Sequence, residues 1–157
     1  DLMGVGKVVW GLASEDRHSL RGDKPQAWIE VRASACEREG IMDALRHGLY
    51  YSTTGPKIHD ISITETHVTV KSSKAKRISF SSMPWLSKKV DASEGEWLTE
   101  ARVEVDQLGS TRRLEAVMDE LVEKGELTAR KRVSPHVRVE VSDGVGGFAW
   151  SNPIPLP

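Results

Sequence analysis

The stretch "KIHDISITETHVTVKSSKAKRISFSS", residues 57 to 82, decides the fold class. Ile61 and Ile63, Val68 and Val70, and Ile78 and Phe80 recur at every second position, which in an extended chain sends each pair to one face. Segments 58–64, 67–72 and 76–82 are therefore predicted as strands. The links between them are short, so neighbouring strands are expected to run antiparallel as a small meander, with "KSSKAKR" (71–77) as a solvated hairpin tip.

Downstream, residues 83–97 read as irregular and carry Trp85 and Trp97, and "LTEARVEV" (98–105) resumes as strand. "STRRLEAVMDELVEKG" (110–125) is the clearest helix. Leu114, Val117, Met118, Leu121 and Val122 form one stripe, Ser110 or Thr111 caps the start, and Gly125 ends it. The stripe is expected to pack on the carboxyl-terminal sheet. "ELTARKRV" (126–133) and "HVRVEVS" (136–142) read as strands, and Asp143-Gly144 opens a turn into "FAWSNPI". Upstream, "AWIEVRA" (27–33) is a strand, and "SACEREGIMDALRHG" (34–48) a short amphipathic helix starting at Ser34 and stopping at Gly48. Gly40 weakens its first turn. "KVVWGLA" (7–13) is a continuous apolar run, as expected of a strand covered on both faces. Trp10 and Trp150, in apolar strand contexts, are expected to be more buried than Trp85.

Composition narrows the class. The 157 residues are 38% hydrophobic and 29% charged, enough to fold one main domain. The formal net charge of −1 supplies no global attraction for nucleic acid or an anionic membrane. No run reaches the roughly 18 apolar residues of a membrane span, and no signal peptide is apparent. Cys36 is alone, which rules out an internal disulfide and fits a reducing compartment, so a cytoplasmic location is expected. The chain lacks an initiator methionine and reads as part of something longer.

"WGLASEDRHSL" (10–20) carries the candidate chemistry. Residues at i and i+2 of an extended segment project to one side, so Asp16 and His18 are candidate metal ligands; by spacing alone, a solvated turn is the commoner explanation of such a pair. The position at the end of an apolar run favours the metal, because α/β barrels place catalytic groups at the carboxyl ends of their strands. "GVGK" (4–7) is rejected as a phosphate loop, since Val8 follows the lysine. His47, His59, His67 and His136 show no ligand spacing. "STRRLEAVMDELVEKGELTARKRV", with Arg112, Arg113, Arg130, Lys131 and Arg132, offers a winged-helix-like nucleic-acid-binding module over 110–132 as an alternative, although two further helices should precede it. A non-catalytic β-rich interaction domain is the third possibility.

Taken in order, "VVWGLASEDRHS", "AWIEVRAS", "IMDALRHGLYYSTTGP", "KIHDISITETHVTVKSSKAKRISF" and "VRVEVSDGVGGFAWSNPIPL" resemble the carboxyl-terminal portion of a PHP-domain (polymerase and histidinol phosphatase) metal-dependent phosphoesterase. The resemblance implies that Asp16-Arg17-His18 is that family's last Asp-x-His metal motif, at the end of a barrel strand. It implies divalent metal ions (Zn, Mn or Fe), a phosphate-ester substrate, and hydrolysis by metal-activated water. The family's earlier His-x-His and further His and Glu ligands have no counterpart here, Asp often stands where this chain has Glu15, and residues 104–133 look like an insertion.

The expected fold is therefore α+β. Residues 1–56 would be the end of a β/α barrel, with its last strand and metal loop followed by a helix. Residues 57–157 would be a β-rich antiparallel domain with a helical insertion near 110–125. One Asp and one His fall short of the roughly three or four protein ligands of a zinc site. The isolated chain is expected to be inactive, with an upstream barrel segment or a partner chain supplying the rest.

Overall fold

The computed structural model describes residues 9–15, 26–82, 86–109, 111–125 and 135–157. In chain order the elements are β1 (Trp28–Val31), α1 (Arg38–Arg46), β2 (Tyr50–Thr53), β3 (Ile58–Ile63), β4 (His67–Ala75), β5 (Arg77–Ser81), β6 (Ser87–Asp91), β7 (Leu98–Glu104), α2 (Val105–Leu108), α3 (Thr111–Glu123), β8 (His136–Ser142), β9 (Phe148–Ser151) and β10 (Ile154–Pro155). The described chain is β-rich and its strand pairs are all antiparallel. The larger sheet runs β1-β2-β9-β8-β5-β6, with β10 also on β8, and the smaller runs β3-β4-β7. Strands from both sides of residue 56 thus contribute to the larger sheet.

Alternation builds the core. Val68 and Val70 of β4 and Ala101 and Val103 of β7 meet Ile78 and Phe80 of β5 and Val137, Val139 and Val141 of β8 in one buried cluster. Each strand presents every second side chain to that cluster, as the inner faces of a two-layer packing must. Phe80, Ile78 and the three β8 valines are fully buried, so removal of apolar surface from water is concentrated here.

The predicted meander holds for β3 and β4 but not for β5. β4 continues through the supposed hairpin tip to Ala75, which pairs with Leu98 of the smaller sheet, while Arg77 pairs with Ser142 and Asp91 of the larger. Only Lys76 lies between, and one residue cannot reverse a chain that needs at least two for a tight hairpin. The strand crosses from one sheet to the other instead. "SKKVD", within the stretch 83–97 that reads as irregular, is edge strand β6; its Lys88 and Lys89 are exposed, a common way of blunting a sheet edge.

Helix α1 begins at Arg38 rather than Ser34. A Cβ on Gly40 would stand 2.8 Å from the Ala35 carbonyl oxygen, so residues before the helix fold back over the glycine instead of continuing its axis. Its end is as expected: Gly48 adopts φ 68°, with Gly48 N–H donating to Leu45 and Leu49 N–H to Ala44, a Schellman stop. Helix α3 forms over the predicted span, and Leu121 and Val122 are half-buried. The side chains of Leu114 and Val117, the strand expected at 126–133, Trp85 and the GVGK segment lie outside the described residues, as do the side chains of Arg112 and Arg113. Trp10 and Trp150 are half-buried. Among the described residues no helix is long and apolar enough to cross a membrane.

Candidate functional site

The apolar run before the Asp-x-His motif differs from its expected form. Residues 9–13 join no sheet, and Val9 and Leu12 are 47% and 64% exposed. A strand covered on both faces has ladder partners for its amides; here side chains take that role. Gly11 N–H donates to Asn152 Oδ1 at 2.9 Å, and Ala13 N–H to Ser52 Oγ at 3.0 Å. Trp10 lies on Gly48, where an added Cβ would stand 2.9 Å from the indole, and its Nε1–H donates to the Arg46 carbonyl at 3.3 Å. The segment therefore follows the direction of β2, on the face of the larger sheet opposite the core.

Asn152 is the hub of this arrangement. Pro153 has no N–H to continue a ladder, and the strand breaks between β9 and β10 at this point. The freed Asn152 side chain, 6% exposed, accepts from Gly11 and donates through Nδ2 to the carbonyls of Gly48 at 3.1 Å and Tyr50 at 3.2 Å. Beside it, the Ser151 hydroxyl accepts the Val139 N–H at 2.9 Å. Asn152 was not legible in the sequence, because a lone Asn before Pro reads as a turn.

Where β2 ends, Thr53 Oγ1–H donates to the Pro56 carbonyl at 2.6 Å and accepts from Gly55 N–H at 2.9 Å. Thr54 closes onto β9, giving its N–H to the Phe148 carbonyl at 2.8 Å and accepting the Phe148 N–H on Oγ1 at 2.9 Å. In the β8–β9 hairpin Asp143 Oδ1 accepts from Val145 and Gly147, each at 2.8 Å. A Cβ on Gly147 would be 3.0 Å from Pro56 Cδ, so this hairpin and the β2 exit turn interlock.

Glu15, the last described residue before the motif, accepts a hydrogen bond on its carboxylate from the Gln26 backbone amide, which ties Glu15 to the start of the next described stretch. Asp16 and His18 themselves lie outside the described residues. Among the described residues no group of three or more His, Cys, Asp and Glu converges as a metal site. His67 contacts Thr66 Oγ1 at 2.7 Å, and His136 is buried at the start of β8. Cys36 is exposed.

His47 and His59, unrelated by spacing, line one groove of about 890 Å³ at the end of the sheet where α1 meets β2. On its wall Glu30 and Tyr51 face each other across β1 and β2. Burial, and then the Glu30 charge, push the Tyr51 hydroxyl above its usual 10.0, against a backbone hydrogen bond with Ile58. Compared with known protein families, with curated proteins and with solved structures, the chain matches none.

Proposed function

We propose that this chain is the carboxyl-terminal part of a metal-dependent phosphoesterase of the PHP type, in which Asp16 and His18 supply one ligand pair and upstream residues or a partner chain supply the others. One observation supports the reading: three blocks quoted for the resemblance meet in space. "VVWGLASEDRHS" touches "ALRHGLYYSTTGP" through Trp10 with Gly48 and Ala13 with Ser52, and touches "AWSNPI" through Gly11 with Asn152. Blocks separated by up to 141 positions thus hold the segment that leads into Asp16. In this reading the β-rich part fixes the approach to the metal loop.

A divalent ion held there would activate water and neutralise charge on a phosphoryl group. The described residues do not by themselves make such a site, so no hydrolytic step is assigned to them. Metal content and hydrolysis of p-nitrophenyl phosphate and bis(p-nitrophenyl) phosphate test the proposal, on this chain and on the chain lengthened by the residues encoded upstream. The short form should bind metal weakly and turn over barely. In the long form Asp16→Asn or His18→Ala should each remove metal and most hydrolysis; full activity in either variant sinks the proposal.

A further inference from the structure

The groove at the end of β1, β2 and β9 has a composition that core packing does not require. Its lining includes Trp10, Glu30, Arg32, Tyr51, Lys57 and Asp60. Arg32, Lys57 and Asp60 are exposed, and Trp10, Glu30 and Tyr51 are half-buried. Its volume, about 890 Å³, falls within the range of small-molecule sites.

Trp10 is fixed in place. One side of its ring rests on Gly48, where a Cβ would be 2.9 to 3.0 Å from three ring carbons, and its N–H is tied to the Arg46 carbonyl. A half-exposed indole held by its edge and one face offers stacking area with little side-chain entropy left to lose. The charges are balanced rather than one-signed. An anion would meet Glu30 and Asp60, and a cation would meet Arg32 and Lys57. A neutral ligand whose groups both donate and accept satisfies all four without leaving a charge opposed. Glu30 accepts the Trp28 indole N–H on Oε1 at 3.1 Å, and its other oxygen is the natural acceptor for such a group.

From this combination we infer that the groove is a carbohydrate-binding site, taking a neutral oligosaccharide whose apolar C–H face stacks on Trp10 while its hydroxyls bridge Glu30, Asp60, Arg32 and Lys57. The site is independent of phosphoester hydrolysis, since Trp10 lies at the other end of the 9–15 segment from Glu15.

The test is titration calorimetry of the full chain against cellohexaose, xylohexaose, mannohexaose, laminarihexaose and chitohexaose at millimolar concentration, with adenosine and uridine as controls. At least one hexaose should bind. Trp10→Ala should weaken that binding roughly tenfold, as loss of a stacking contact does. Asp60→Ala, at an exposed position, and Glu30→Gln, which keeps an acceptor for Trp28, should each weaken it several-fold with the circular dichroism spectrum unchanged. No binding of any hexaose overturns the inference. So does binding that Asp60→Ala and Glu30→Gln leave unaltered, or binding confined to the nucleosides.

Discussion

Gly11 N–H and Asn152 Oδ1 are 2.9 Å apart across 141 positions of sequence, and the same Asn152 side chain ties down the carbonyls of Gly48 and Tyr50. Asn152→Ala leaves a donor and two carbonyls in search of partners, each a loss of about 1–3 kcal/mol where water cannot replace it. Urea denaturation should show a fall in midpoint, and the Gly11 amide should exchange faster. Asn152→Asp, which replaces the amide donor with a carboxylate oxygen facing two carbonyl oxygens, should be no better tolerated. Wild-type stability in both variants would remove Asn152 from this role.

Phe80 and Leu121 differ in how far the fold buries them. Phe80 is fully buried between the sheets, whereas Leu121 on α3 is half-buried. Phe80→Ala should cost about 3–5 kcal/mol and Leu121→Ala clearly less, measured as chemical denaturation midpoints. The reverse order would mean that α3 belongs to the main core.

Gly48 serves both the α1 stop and the Trp10 contact. Gly48→Ala places a side chain at φ 68°, costing about 1–2 kcal/mol, and drives a methyl into the indole. Trp10 should swing outward. Iodide quenching of a variant retaining only Trp10 among the tryptophans should rise on the Gly48→Ala change; unaltered quenching would show that the ring does not rest there.

Tyr51 gives a pH dependence of defined sign. Its folded pKa lies above the ordinary 10.0 because burial, then Glu30, disfavour the phenolate. The unfolded chain therefore loses this proton first. The associated stability is complete below about pH 10 and is lost as pH rises through the folded value. With Tyr50→Phe leaving Tyr51 as the sole tyrosine, ultraviolet titration should give a midpoint above 10.0 that falls on Glu30→Gln. A midpoint at or below 10.0 contradicts the packing around Tyr51.

Periodicity carried most of the strands. β3, β4, β5, β7 and β8 all alternate, and the glycine stop of α1 was readable because a Schellman turn demands positive φ at Gly48. β6 was not readable: "SKKVD" holds a single apolar residue, Val90, since an edge strand buries little. Nor was the sheet change at Lys76, where pattern assigns each strand a face but not a layer. The same limit hid the groove, whose residues come from segments far apart in sequence and meet only through sheet order. The Asp-x-His pair was readable as a motif, but the anchoring of residues 11 and 13 ahead of it rests on Asn152 and Ser52, single polar residues with no periodic signature.

The β2–β9 pairing sets an order of events on the ribosome. β2 is complete once Thr53 has been made, yet its partner arrives only with Phe148–Ser151. Until then β1 and β2 form a two-stranded ribbon with one edge unpaired, and such ribbons are marginal in water. β1 and β2 are thus secured only long after they are made, and a nascent chain halted near residue 140 carries an open edge able to pair with a neighbour.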